Sequence, residues 1–572
     1  VRFPARGLRS EDFANVILFT PADSTPFSKE KMDKNTVKAI VLAMLVMLLY
    51  PMLLKKFYPA AYQQQPAKAT ERQEEAISAK AVISPATPQG TTLEKAVVPA
   101  IALYENSFYR VEFSTLGGTI TALSFLGEKD RQAFTKTDFF SGDPREPGIF
   151  GTNILHEKAD LAGTIFKMTR KGESAEFSYE LPGEYLLTKT FVFRESKPAI
   201  DLVIRIKNLS GREKHFPIIL NYGMNYEDGY QKNYGYYDAA VYTDKLRTKS
   251  LASIKKKGFS FPDPTVWVGL IKKYFALLVK PDGKIIEGSA KVDAKNFWGQ
   301  ITLEPMTVPA EGEGERSFLI YAGPQRYEAL KSFGMGFEEV FSRGFFGLFK
   351  TGILTVLKFL NQYTHNFGWA LVLLTLLIKL LFAPLTHLSY ASMKKMQTLA
   401  PKMKAIQESH KKDPAKSQQE IMALYRRNKV NPMMGCLPML IQIPVFMAMF
   451  QLLPEAIELH GAPFIGWIKD LSAPDHFMML PFTVPFLGWN SLNILPILMA
   501  ASQVWYQKLM PAQPGSSPEQ QTMMNIMPIF FGFICYNMPS GLTLYWTLQN
   551  VFSIIQQTFI NRIVIVLHHE DQ

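Results

Sequence analysis

Residues 368–385 read GWALVLLTLLIKLLFAPL, and Lys379 is the one charge in the stretch. An apolar run of this length predicts a helix that crosses a membrane. Working outward toward the C-terminus, Met433–Leu453 and Leu492–Tyr506 carry no charge, the second following a Pro-broken apolar stretch at Phe477–Leu487. From Gln520 to Asn561 there is again no charge, which is too long for one crossing. Pro539-Ser540-Gly541 reads as a tight turn in its middle, so two helices in a hairpin are expected. The spans are placed at about 366–388, 432–454, 491–508, 522–538 and 541–560, inside a helical region 363–562.

Toward the N-terminus the character changes twice. Ile200, Leu202, Ile204 and Ile206 alternate with Asp201, Val203, Arg205 and Lys207, and Phe177, Tyr179 and Leu181 alternate too. That period of two means strands, with turns at Gly117-Gly118, Pro182-Gly183 and Asp282-Gly283. Residues 100–336 are therefore expected to form one large all-β sandwich domain. Residues 59–99 hold few large apolar side chains and read as a flexible linker. Before them, Ala39–Leu54 is uncharged and bracketed by Lys31, Lys34, Lys38, Lys55 and Lys56. Small residues suited to cleavage are sparse around Tyr58–Ala61, so residues 32–58 read as an uncleaved signal anchor. Residues 1–31, upstream of the first methionine, Met32, are left unassigned. The expected fold class is an α-helical polytopic membrane protein of six transmembrane helices carrying a large extracytoplasmic all-β domain.

Charge sets the orientation. The net charge is +12. The segment 389–429 holds Lys394, Lys395, Lys402, Lys404, Arg426 and Arg427 among its cations, whereas the loop after the next span holds Glu455, Glu458, Asp470 and Asp475. By the positive-inside rule the first is cytoplasmic and the second outside, which puts both termini in the cytoplasm and the β domain beyond the membrane. The excess charge is then topological, and nucleic acid binding is not expected. Met393, Met396, Leu399, Met403 and Ile406, then Ile421, Leu424 and Tyr425, fall near helical spacing, so 389–429 reads as a cytoplasmic helical hairpin or as a solvated loop that fixes topology. Residues 337–362 mix Phe341, Phe345, Leu348, Phe349 and Leu357 with Arg343, Lys350 and Lys358. They read as an amphipathic helix in the membrane interface, or one packed at the domain edge. Residues 563–572 form a short tail.

Lys379 is the sharpest candidate. It lies ~16 Å below Gly368 and ~9 Å above Leu385 along a helix. An ammonium at that depth costs about 2.5–3.5 kcal/mol unless it reaches water, either by snorkelling or by facing a wet cavity. Gln442, Gln503, Tyr545, Trp546, Thr547, Gln549 and Asn550 are polar groups on other spans that could line the same cavity or simply bond between helices. Methionines such as Met447, Met449, Met499 and Met527 suit a surface for varied apolar partners as well as ordinary packing. The two cysteines, Cys436 and Cys535, lie in apolar runs, so the β domain folds without disulfides, and no Cys/His cluster has zinc spacing. No GxxxxGK, GxSxG or HExxH motif is present, so no catalytic residue and no cofactor is expected.

Several short strings then converge. Ala383-Pro384-Leu385-Thr386, Ala400-Pro401-Lys402-Met403, Met422-Ala423-Leu424-Tyr425, Val430-Asn431-Pro432, Gly435-Cys436-Leu437-Pro438, Gln442-Ile443-Pro444-Val445-Phe446, Leu471-Ser472-Ala473, Pro539-Ser540-Gly541-Leu542 and Ile555-Gln556-Gln557 occur in order over about two hundred residues. This region resembles the YidC/Oxa/Alb membrane insertases, and the full layout resembles the long form with a periplasmic super-sandwich. The resemblance implies a five-helix insertase core with a polar groove, closed outside and open to cytoplasm and lipid. It implies an inner-membrane chaperone for nascent integral membrane proteins, and for lipoproteins, that works alone or with the Sec translocon and its SecD/SecF part. A ribosome carrying a nascent chain is a further implied partner, although the tail lacks the basic extension some relatives have. The family usually has arginine in the groove where this chain has Lys379, and lysine lacks the planar fork. Two other classes are weighed. A secondary transporter would need a coupling carboxylate and an internal repeat. A sugar-acting envelope enzyme would use the β domain, with His215, Glu227 and Asp228 as its chemistry.

Overall fold

A computed structural model describes residues 99–127, 137–155, 160–226, 236–293, 295–410, 413–431, 434, 437–484, 488–510 and 518–569. The expected signal anchor, the linker up to residue 98, residues 1–31, Cys436, Glu227 and Asp228 lie outside the described residues.

The alternating segments form three principal antiparallel sheets. The largest has nine strands, ordered Leu246–Ser250, Tyr237–Tyr242, Trp267–Lys272, Phe275–Pro281, Glu313–Pro324, Ala199–Asn208, Tyr185–Phe193, Ser174–Leu181, Lys167–Lys171. Sheets of five and four strands pair their inner faces with it, and Phe113, Phe177, Phe191 and Phe193 meet between them at ring distances of 5.5 to 6.0 Å. Period two decides which side chains enter this core. In Tyr185–Phe193 the inward set is Tyr185, Leu187, Lys189, Phe191 and Phe193, all buried. Lys189 is 0% exposed. Its Nζ donates to the carbonyls of Gly117 (3.1 Å), Gly118 (2.7 Å) and Phe150 (2.7 Å), one for each proton of an ammonium. The Gly117-Gly118 turn, at φ +66° and +51°, brings two of those carbonyls to one point, a conformation that suits glycine.

The large sheet is covered on its other face as well. Trp267, Ile271, Ala276, Leu278 and Tyr321 pack with Leu330, Phe337, Val340 and Phe341 in one buried cluster. Trp267 Nε1 donates to the Met335 carbonyl at 3.0 Å.

Ten helices are described: α1 (Leu251–Lys257), α2 (Tyr327–Lys331), α3 (Gly347–Thr364), α4 (Phe367–Thr398), α5 (Ala400–Ser409), α6 (Pro414–Arg427), α7 (Leu437–Glu455), α8 (Leu495–Leu509), α9 (Pro518–Ile534) and α10 (Ser540–His569). Among the described residues, α4 is the helix long and apolar enough on its own to cross a membrane, and Leu440–Glu455 and Asn525–Asn537 are shorter apolar helices. Pro444 and Pro454 in α7 and Pro528 in α9 interrupt the backbone ladder there.

The boundaries differ in places from the sequence expectation. Helix α4 starts at an Asn366 cap, whose side chain accepts from the Gly368 and Trp369 amides, and runs unbroken to Thr398 through Pro384. The first part of the expected hairpin is thus an extension of the first span. Ser491 and Leu492 pair as a strand with Met478 and Met479, and α8 begins at Leu495. Helix α10 continues to His569, through most of the expected tail. Between α5 and α6, His410 Nε2 lies 3.5 Å from Glu420 Oε1.

The amphipathic segment is corrected more deeply. Phe337–Val340 is a single 3-10 turn, the chain reverses at Gly344 (φ +84°), and the helix starts only at Gly347. Its cations are taken up in ion pairs. Lys350 is 1% exposed and ion-paired with Glu455 at 2.5 Å, Arg343 reaches Glu455 at 3.2 Å, and Lys358 lies 2.8 Å from Glu328. The large apolar residues exposed here are Phe345 (88%), Leu348 (84%), Phe349, Phe359 and Tyr363, with Thr355 and Gln362 exposed among them. The ion-paired cations of the segment thus lie on its inner side.

Candidate functional site

Helix α10 carries the polar stripe. Tyr545, Gln549, Ser553 and Gln557 recur every four residues, so they lie along one line of the helix, with Trp546 and Asn550 on the adjacent line. Helices α4, α7 and α8 pack against it. Gln442 on α7 donates to the Tyr545 hydroxyl at 2.5 Å, and Gln549 donates to the same hydroxyl at 3.0 Å. Trp546 Nε1 donates to Gln503 Oε1 on α8 at 3.2 Å. Asn550 Nδ2 reaches Ser502 Oγ at 2.9 Å and the Met499 carbonyl at 3.3 Å.

Lys379 is partly buried on α4, and its Nζ donates to Ser553 Oγ at 2.6 Å. Ser553 passes its own proton to the Gln549 carbonyl at 2.7 Å. Among the described residues no ion pair is formed by Lys379. An ammonium has three protons, and one hydroxyl takes one of them. The positive charge is thus held in place with no carboxylate paired to it among the described residues.

Seven of the eight expected groove residues therefore sit in bonded contact along α10: Lys379, Gln442, Gln503, Tyr545, Trp546, Gln549 and Asn550. Thr547 does not join them; its hydroxyl donates to the Thr543 carbonyl of its own helix at 2.7 Å. Ser553 and Ser502 were missed from sequence, although the four-residue step from Gln549 points to Ser553. Of the expected hairpin cations, Lys394 is partly buried on α4, Lys395 is exposed there, Lys402 and Lys404 are exposed on α5, and Arg426 and Arg427 are exposed at the end of α6.

A second ionic cluster, not legible in sequence, joins the base of the β domain to the C-terminal end of α7. Glu455 receives Lys350 and Arg343, and the Arg343 guanidinium stacks 4.3 Å over the Tyr236 ring. Burial pushes the Lys350 ammonium below its usual range, with Glu455 opposing it. Beside them is a cavity of about 340 Å³ lined by Leu246, Thr248, Arg343, Gly344, Gln451 and Glu455. Of the residues offered for sugar chemistry, His215 is exposed and its Nδ1 lies 2.9 Å from Thr307 Oγ1, while Glu227 and Asp228 lie outside the described residues.

Comparison with known proteins bears on both halves. Residues 359–567 match the family described as 60Kd inner membrane protein, and residues 104–356 match that described as YidC periplasmic domain. The membrane protein insertase YidC of Syntrophus aciditrophicus is 31% identical over 562 residues, covering 93% of this chain and 100% of that protein. That of Geobacter metallireducens is 32% identical over 551 residues, covering 93% and 98%. A solved active YidC insertase with its first transmembrane domain resolved is 19% identical, with 80% of this chain and 91% of that chain covered and a TM-score of 0.34.

Proposed function

The chain belongs to the YidC family of membrane protein insertases, inner-membrane proteins with a periplasmic domain, and from that premise we propose that Lys379 draws polar segments of nascent membrane proteins into the groove along α10. The observation that carries this reading is the Lys379 ammonium, which among the described residues is held by the Ser553 hydroxyl and by no carboxylate, within a line of uncharged hydrogen-bonding side chains. Six spans, counting the anchor, place both termini and the basic hairpin in the cytoplasm and the β domain in the periplasm. The hairpin cations Lys394, Lys395, Lys402, Lys404, Arg426 and Arg427 receive the incoming chain, with or without a ribosome. The polar flank enters the groove while the apolar helix moves into lipid, which stabilises it by ~25 cal/mol per Å² of apolar surface buried. No nucleotide is consumed. The Sec translocon with its SecD/SecF part serves as a partner for larger substrates. The exposed apolar side of α3 rests in the outer leaflet.

The test is insertion of a substrate with an acidic translocated tail into vesicles. Lys379→Ala should lower insertion about tenfold, the equivalent of ~1.4 kcal/mol for one lost charge interaction, and Lys379→Arg should retain it. Equal insertion by all three proteins would overturn the charge role.

A further inference from the structure

The strand Leu246–Ser250 is one edge of the nine-stranded sheet. Its outward hydrogen-bonding groups follow from its register. Tyr242 lies opposite Leu246, and the Tyr242 carbonyl accepts from Val266 on the other side. In an antiparallel pair the two groups of one residue point the same way and successive residues alternate. Leu246, Thr248 and Ser250 therefore direct their amides and carbonyls away from the sheet. The Leu246 amide agrees, since it donates to Glu339 Oε2 at 3.1 Å, off the edge.

Leu246 and Thr248 also line the 340 Å³ cavity together with Arg343, Gly344, Gln451 and Glu455. The Arg343 Nη1 is buried there and has no hydrogen-bond partner among the described residues. Arg247 and Lys249 project from the opposite face of the strand and are exposed, as is Lys245. From Lys245 to Lys257 the sequence has no acidic residue. Basic residues on an edge commonly just block pairing between copies, and the far edge, Lys167–Lys171, has that composition as well. The near edge differs in having a polar cavity and an orphaned guanidinium donor beside it, at the end of a membrane helix.

We infer that this edge receives an extended, acidic polypeptide segment emerging from the membrane, which adds as a short extra strand along Leu246–Ser250. Thr248 supplies the backbone pair. Arg247 and Lys249 face carboxylates on one side of the guest, and the cavity takes its alternate side chains on the other. The inference rests on the insertase reading and supplies its periplasmic end.

The full chain in vesicles, carrying Thr248→Cys with Cys436→Ser and Cys535→Ser, tests it. A single-span test protein with glutamates at alternate positions of its translocated segment is arrested during insertion, with one cysteine moved residue by residue along that segment. Disulfide yield should alternate with a period of two, and should drop about two- to fivefold when the glutamates become glutamines, as for lost cross-strand ion pairs. Thr248→Pro, paired with the cysteine at Leu246 instead, removes the outward amide without touching the ladder and should flatten the pattern. Lys249→Pro strikes the inward ladder and should destabilise the domain. Normal insertion with flat or absent crosslinking, or an alternation that survives Thr248→Pro, would overturn the edge site alone. No insertion by the unaltered protein would remove both readings.

Discussion

Two lysines, one in each half of the molecule, divide the labour of buried charge. Lys189 in the β domain is sealed from solvent and gives all three protons to backbone carbonyls. Lys379 in the helical core is only partly buried and gives one proton to Ser553. A fully partnered ammonium is structural: it ties a glycine turn and a loop to a central strand. A partly partnered one at groove depth is held in a costly place without a structural return of similar size, and the difference is what makes it available. A third, Lys350, lies between these extremes, buried but neutralised by Glu455.

The sharpest break comes at that third lysine. Glu455→Gln leaves Lys350 and Arg343 buried without their anion and should destabilise the protein by about 3–5 kcal/mol, read as a fall in the thermal midpoint. Lys189→Met should follow, at about 3 kcal/mol near pH 6, where the group is still an ammonium, because three carbonyls lose their donor. Burial pushes the Lys189 ammonium down to about 7, below its value in the unfolded chain. Between that point and the unfolded value the unfolded state binds the extra proton, so stability should rise with pH across this window and the rise should vanish in Lys189→Met. Hydrogen exchange of the strand Tyr185–Phe193 would show it. Lys379→Met should do the reverse of Lys189→Met, with little change in thermal midpoint but insertion of acidic substrates reduced about tenfold. If it unfolded the core as Lys189→Met unfolds the β domain, the distinction between the two would collapse. Tyr545→Phe, which removes the acceptor of Gln442 and Gln549, should cost about 1 kcal/mol. Thr547→Val should stay within ~0.5 kcal/mol, since that hydroxyl bonds only its own helix.

Legibility in the sequence tracks distance along the chain. Strand Ala199–Asn208 announces itself because alternation is local, and Lys379 stands out against apolar neighbours. The glutamines, tyrosine and tryptophan of the groove were visible one by one, but their pairing across helices was not. Ser553 is small and unremarkable inside an apolar run, so the partner of Lys379 hides. Lys189 could have been read, since it occupies an inward position between Leu187 and Phe191, where a charge needs an explanation. The Arg343, Lys350 and Glu455 cluster could not, because Glu455 lies over a hundred residues from both cations and a cation beside apolar residues looks like the wet side of an interfacial helix.

Helix α4 has one more implication. Its 32 residues make a rod ~48 Å long, longer than a hydrocarbon layer of ~30 Å is thick. Pro384 deletes one rung of its ladder five residues beyond Lys379. Bending at that rung would change the angle between the two parts of the rod, and with it the direction in which the Lys379 ammonium is aimed.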